Sequence, residues 1–274
     1  MLSAGCVSLS APQLRLERPI VLLGEVHDHP LQHALRAEAF AAHVRAGARP
    51  ALLMEQFDHQ HQTAIDVVLS TKARTASDVI AAGQGGPGWQ WPLYRPFIDI
   101  ALEHGLPIVA VNVGREEARR VMREGLAASG FNAVVPAEVT AVLARAIVAS
   151  HCGQVDETRA RPMVLAQVAR DQHMARLVAA NAERGVVLLA GNGHVRKDVG
   201  VPRWLNTSTR ARTESIGVLE EGDTTAAFDR RFFTPAYPRP DPCAGLRPPA
   251  LAAPPSITPT PSPTLPAIPP RTRP

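Results

Sequence analysis

Four short apolar runs, each breaking off into its own set of polar residues, constrain this chain most. Ile20-Val21-Leu22-Leu23 runs into Gly24-Glu25-Val26-His27-Asp28-His29, and Ala51-Leu52-Leu53-Met54 into Glu55-Gln56. Pro107 to Val111 is followed by Asn112, and Val186 to Ala190 by Gly191-Asn192-Gly193-His194. The stretches between them have helical periodicity. It predicts helices over His29–Ala46, from near Asp58, over Thr75–Ala82, Phe97–His104, Arg115–Glu124, Pro136–Ser150 and Pro162–Arg184, with a weaker edge strand over Glu214–Leu219. Continuous apolar runs suit strands buried on both faces, and strands alternating with helices imply parallel pairing. The fold class is therefore α/β, a mostly parallel sheet flanked by helices.

The 274 residues suffice for one core. Fifteen of the 26 prolines fall at or after Pro235, where apolar periodicity is lost. Such a segment cannot offset its ordering entropy by burial, so a disordered Pro-rich tail is expected over 234–274. The α/β domain is expected over 19–233, behind an N-terminal segment, 1–18. No apolar run is long enough for a membrane-spanning helix. The net charge of +4 comes without a dense basic block, which argues against a dedicated nucleic-acid binder. Cys6, Cys152 and Cys243 are too scattered for a disulfide scaffold or a Cys-rich zinc site, and no bridge stapling the core is expected.

Ligands of open α/β sheets bind outside the carboxyl ends of the strands. Glu25, His27, Glu55, Asn112 and His194 are therefore expected to converge on one site. Two imidazoles and two carboxylates suit a divalent metal, or, without one, a glutamate acting as base beside a histidine. Gly24 and Gly191 let the backbone turn sharply off a strand. On the helix after Pro162, Gln167, Arg170 and Asp171 share one face, either as an Arg–Asp pair bracing the sheet or as lining of the site. His151 and His173 lie near it, and His29 is close enough to the first motif to assist. Tyr94 follows Trp89 and Trp91 in an irregular loop, GQGGPGWQWPLYRP. These aromatics read as a plug over the sheet edge, or as the wall of a pocket for a flat ligand with the tyrosine oxygen on iron.

The segments VLLGEVHDHPLQH, LLMEQFD, GWQWPLYRPFIDIALEHGLPIVAVN, QVARDQHMARLV and VLLAGNGHVRKDVGVP, in this order, resemble the ChaN-like iron-regulated lipoproteins. These form the haem-binding uptake group of the Tiki/TraB/erythromycin-esterase superfamily, and the resemblance runs from about Pro19 to Val218. It implies a haem-binding protein of iron acquisition, with a homodimer around stacked haems and with no catalysis required. Tyr94 would be the iron ligand, in a cofactor site with His27, His194, Glu25, Glu55, Asn192 and Arg170. The superfamily also holds hydrolases, and Glu25, His27, Glu55 and His194 would carry that alternative. Ser3-Ala4-Gly5 before Cys6 resembles a lipoprotein cleavage site, although a charged start and an apolar stretch are missing. Lipid on Cys6 would anchor the protein in the cell envelope; without lipid it would be soluble.

Overall fold

The computed structural model describes residues 13–246. In chain order the elements are Ile20–Leu23 (β1), Pro30–Arg45 (α1), Ala51–Asp58 (β2), Gln62–Ser70 (α2), Ala76–Ala82 (α3), Trp91–Glu103 (α4), Ile108–Asn112 (β3) and Arg115–Glu124 (α5). Ala137–Ser150 (α6), Glu157–Ala180 (α7), Val186–Leu189 (β4), Asn192–Val195 (α8), Val201–Trp204 (α9), Thr207–Ala211 (α10), Thr213–Glu220 (β5) and Arg230–Thr234 (β6) complete them.

All six strands pair in parallel, in the order β3-β2-β4-β1-β5-β6. Alternation along β1 feeds two cores. Val21 and Leu23 pack with Phe40, Phe57 and Phe97 on the face covered by α1 to α4, while Ile20 and Leu22 pack with Met174 and Val178 of α7 on the other. A third core joins α5, α6 and the first half of α7. Helix α7 thus divides in two: its C-terminal half lies on the sheet, and its N-terminal half rises beyond the carboxyl edge to pack against α5 and α6. From Asp171 back to Glu157 this rise is about 21 Å.

Several boundaries differ from the sequence reading. Strand β2 continues through Glu55 to Asp58, so helix α2 begins only at Gln62, after a 3-10 turn at His59–His61. Helix α4 begins at Trp91, because Pro92 falls in the first turn, where a missing N–H costs nothing. Tyr94 is thus helical and not part of the loop. Helix α7 begins five residues before Pro162 because Asp156 caps it, its carboxylate accepting from the Arg159 amide at 2.8 Å. Strand β5 is not the edge; β6 lies outside it. The short return between them is made possible by Gly217, where a Cβ would stand 2.8 Å from the Phe228 ring.

Order also reaches past the expected domain limits. Leu14 and Leu16 are buried in the first core. After β6 the chain runs on as a strap: the Pro235 carbonyl meets His29 Nε2 at 2.9 Å, and Arg239 forms ion pairs with Asp28 and Glu220. Cys243 then bonds to Cys152 in the α6–α7 turn, with the Cα atoms 5.4 Å apart. This corrects the expectation that no bridge would staple the core. It arises because α6 and α7 rise above the sheet and meet the strap there. Residues beyond 246, and with them the rest of the expected disordered tail, lie outside the described residues. Cys243→Ser should lower unfolding stability by about 2–4 kcal/mol, as loss of a cross-link between distant residues does, and open the 235–246 segment to proteases. An unchanged denaturation midpoint and cleavage pattern would contradict this.

Candidate functional site

The two Gly-containing turns at the ends of β1 and β4 are built against each other. The Asn192 amide donates to the Glu25 carbonyl at 3.0 Å. A Cβ on Gly24 would stand 2.2 Å from Asn192 Oδ1 and 3.0 Å from the Ile216 carbonyl, so only glycine permits the approach. Asn192 itself is committed to the backbone of β5. Its Nδ2 donates to the Val218 carbonyl at 2.6 Å, and its Oδ1 accepts from the Val218 amide at 3.1 Å. It therefore braces the turn, where the sequence reading placed it against a cofactor.

Glu25 is the hub of the first half of the site. Its buried carboxylate accepts from Arg36 Nη1, from the Tyr94 hydroxyl at 2.5 Å and from His27 Nδ1 at 2.8 Å. Burial alone would raise its pKa, but Arg36 and His27 outweigh burial and hold it well below the usual carboxylate range. Arg36 is wholly buried, and its Nη2 also donates to the Leu23 carbonyl at 3.1 Å. His33, beside Arg36, is pushed down to about 4 by burial and by that guanidinium, so it is neutral. Its Nε2 meets the His27 carbonyl at 3.1 Å.

Tyr94 is wholly buried, and burial together with the charge of Glu25 drives its phenol far above the ordinary range. Its oxygen thus faces Glu25 and not an open pocket. Trp91 stacks on Phe57 with ring centroids 5.0 Å apart, and Trp89 and Tyr94 meet edge to face at 5.7 Å. This is the plug. His27 is different: its side chain is half-exposed, edge-on to Trp89 at 4.8 Å. Burial would lower the pKa of this imidazole, but Glu25 on Nδ1 and the nearby Glu55 outweigh burial and raise it.

The second half of the site centres on His194. Its Nδ1 lies 2.6 Å from Asp171, its Nε2 3.3 Å from Glu55, and Gln167 Nε2 is 3.1 Å from the ring. Burial would lower the pKa of this imidazole, yet Glu55 and Asp171 together push it up to about 10. It is an imidazolium at neutral pH. Glu55 also accepts the Gly191 amide at 2.8 Å, and Gly191 is flanked by His27, whose Nε2 a Cβ there would meet at 3.0 Å. Glu25, His27, Glu55 and His194 thus form one connected group at the carboxyl ends of β1, β2 and β4. Because His194 gains its proton on folding, its stabilisation is full below its unfolded pKa near 6.5 and is lost as pH rises through about 10. Urea midpoints should fall across that window, and should fall less in His194→Gln; equal slopes would contradict the assignment.

Other expected members lie elsewhere. Asn112 donates to Asp58 at 3.1 Å on the β2–β3 side and does not join the four. Arg170 forms no ion pair with Asp171, which faces His194 instead. His173 packs on His59, ring centroids 4.5 Å apart, and burial lowers it to about 4. His151 is exposed at the end of α6. Arg36, His33 and Gln167's contact with His194 add to the set. Arg36 and His33 had a signal in the sequence: they fall on the inward stripe of α1 with Phe40 and Val44.

Two clefts are lined by neighbours of this group, Gln56 and Trp89 in one and Gln167 in the other. One, of about 800 Å³, is lined by Gln56, Asp58, His61, Trp89, Arg115 and Arg119. The other, of about 790 Å³, lies between α5, α6 and α7 and shares Arg115 and Arg119. Among the described residues no group of three or more His, Cys, Asp or Glu side chains is placed to hold a metal ion. Glu25 is occupied by Arg36, and the His194 ring by two carboxylates.

No curated protein matches the chain. Among solved structures, the one described as cofacial haem binding to ChaN of Campylobacter jejuni matches with a TM-score of 0.63 and 20% identity over 76% of this chain and 84% of that one. The type III effector HopBA1 matches with a TM-score of 0.45 and 15% identity over 80% and 88%. A mutant of the erythromycin esterase EreC in its open conformation matches with a TM-score of 0.45 and 15% identity over 75% and 71%. The profile described as haem-binding uptake, Tiki superfamily, ChaN matches residues 15–205, well over half of the sequence. The chain belongs to this ChaN family of the Tiki superfamily.

Proposed function

We propose that the protein binds haem and serves iron acquisition at the cell envelope. The family match over residues 15–205 carries this reading. The site fits the group: two clefts of haem-accommodating size share Arg115 and Arg119, cations suited to propionate carboxylates. Haem would supply a ferric iron with an axial position for a protein ligand. Tyr94 was the sequence candidate, but its oxygen would first have to leave Glu25; an imidazole with an open nitrogen fits better. The test is a haemin titration followed at the Soret band, which should saturate. A linear, unsaturable absorbance rise would contradict the reading. Run by gel filtration with multi-angle scattering, the same titration also tests the dimer around stacked haems that the family resemblance implies.

The envelope location rests on family membership and on Ser3-Ala4-Gly5-Cys6, which lies outside the described residues. Fatty-acid labelling that disappears in Cys6→Ala supports a lipid anchor; a wholly soluble, unlabelled protein opposes it.

A second reading has its own observation: Glu25 on Nδ1 orients the half-exposed His27 ring, and the His194 imidazolium lies close by. Glu25 and Glu55 raise the His27 pKa against burial, which suits this imidazole to give a proton to a leaving group, as a Glu/His-dependent hydrolase requires. Hydrolysis of an ester that is abolished in His27→Ala would favour it. Metal-dependent hydrolysis has no ligand set among the described residues.

A further inference from the structure

Of the two clefts, the one between α5, α6 and α7 has the more specific chemistry. Its walls are apolar, with Ala118 and Met122 from α5, Ile147 from α6, and Met163 and Ala166 from α7. Around them stand Arg115, Arg119 and Arg170, none of which forms an ion pair among the described residues. Elsewhere many of this chain's arginines are matched: Arg36 to Glu25, Arg203 to Glu138, Arg212 to Glu183, Arg230 to Glu214 and Arg239 to two carboxylates. Three unmatched guanidinium groups around one apolar trough are complementary to a ligand with an apolar body and more than one carboxylate.

The same cleft contains His151. Its Nδ1 lies 2.8 Å from the Ile147 carbonyl and 3.2 Å from Ser150 Oγ. A carbonyl accepts only, so Nδ1 carries the proton and Nε2 is left with a free lone pair. A backbone carbonyl on the far nitrogen is the support that metal-binding imidazoles usually have, since it fixes tautomer and ring orientation. His27 has its Nε2 against Gly191, and the cleft beside it is lined by Asp58 and Glu116 as well as arginines. That cleft suits a porphyrin dianion less well.

We propose that haem binds in the α5–α6–α7 cleft, with His151 Nε2 on the iron and Arg115, Arg119 and Arg170 on the propionates. This rests on the haem-binding reading and adds the position and the ligand. It also places the cofactor near the strand-end group, because Gln167 lines the cleft and its Nε2 lies 3.1 Å from the His194 ring. The α6–α7 turn that carries His151 is the one pinned by Cys152–Cys243, so the bridge fixes the ligand-bearing end of the cleft.

The experiment is a haemin titration of the full chain and of His151→Gly, His27→Ala, Arg119→Ala and Arg170→Ala, with circular dichroism to verify folding. Both histidines are exposed, so their replacement should leave the fold intact. The wild type should give a saturable, histidine-ligated Soret spectrum. In His151→Gly that spectrum should shift and return on addition of imidazole, while His27→Ala should leave it unchanged. Each arginine variant should weaken haemin binding by about tenfold, the loss of one charge-assisted hydrogen bond, and should bind the dimethyl ester of haemin as the wild type does. If the wild type shows no saturation, the haem reading itself fails. If the wild type saturates but His151→Gly is unaltered, or His27→Ala is the variant that shifts, the site assignment is overturned and the haem reading stands.

Discussion

Arg36→Met is expected to lower unfolding stability by about 3–5 kcal/mol, the cost of leaving one member of a buried ion pair without its partner. Glu25 would remain among Tyr94, His27 and His33 with its principal counter-charge gone. A buried carboxylate in that position either takes up a proton or disrupts its surroundings. Removing both charges together, Glu25→Gln with Arg36→Met, should recover much of the loss, because neither charge is then buried alone. Urea unfolding of the two single variants and the double variant gives the coupling directly. Additive effects, or a single-variant loss below about 1 kcal/mol, would show that the pair does not hold β1 to α1.

His194→Ala should have an effect of similar size with a distinct pH signature. The imidazolium balances two buried carboxylates, Asp171 and Glu55. Burial already draws Asp171 up to about 6 with the imidazolium in place. Without it, both carboxylates should titrate higher in the folded state than their unfolded values of 3.8 and 4.5. A raised folded pKa costs stability as pH climbs above the unfolded value. The deficit relative to wild type should therefore grow between about pH 4 and 6, where the carboxylates ionise in the unfolded chain, and shrink above 6.5, where the wild type itself loses the His194 contribution. A deficit that is constant with pH would mean that His194 contributes packing alone.

What was legible in the sequence follows from the kind of signal each feature leaves. Continuous apolar runs disclosed β1, β2, β3 and β4, and the residues ending three of them, Glu25, Glu55 and His194, meet where the topology puts them. Strand β6 was not legible, because RRFFT has no alternation and depends on pairing with β5. The start of α7 was misplaced because Pro162 is a strong local signal, whereas the Asp156 cap depends on three-dimensional geometry. Arg36 and His33 were hidden by the assumption that an inward helical stripe is apolar. Asn112 was grouped with the site because its strand ends at the same edge, but β3 is the outermost strand and its end meets Asp58 instead. The bridge between Cys152 and Cys243 needed the strap's path across the domain, which no local pattern encodes.

Haem binding by this chain can be read without any label from intrinsic tryptophan emission. The three tryptophans, Trp89, Trp91 and Trp204, lie in the folded domain around the two clefts or against the core of α5, α6 and α7. Haemin held in the domain would quench them by energy transfer. The account predicts quenching that saturates at one haemin per chain and is reversed by excess apomyoglobin. Quenching that only follows the inner-filter absorbance of free haemin, with no break at stoichiometry, would contradict it.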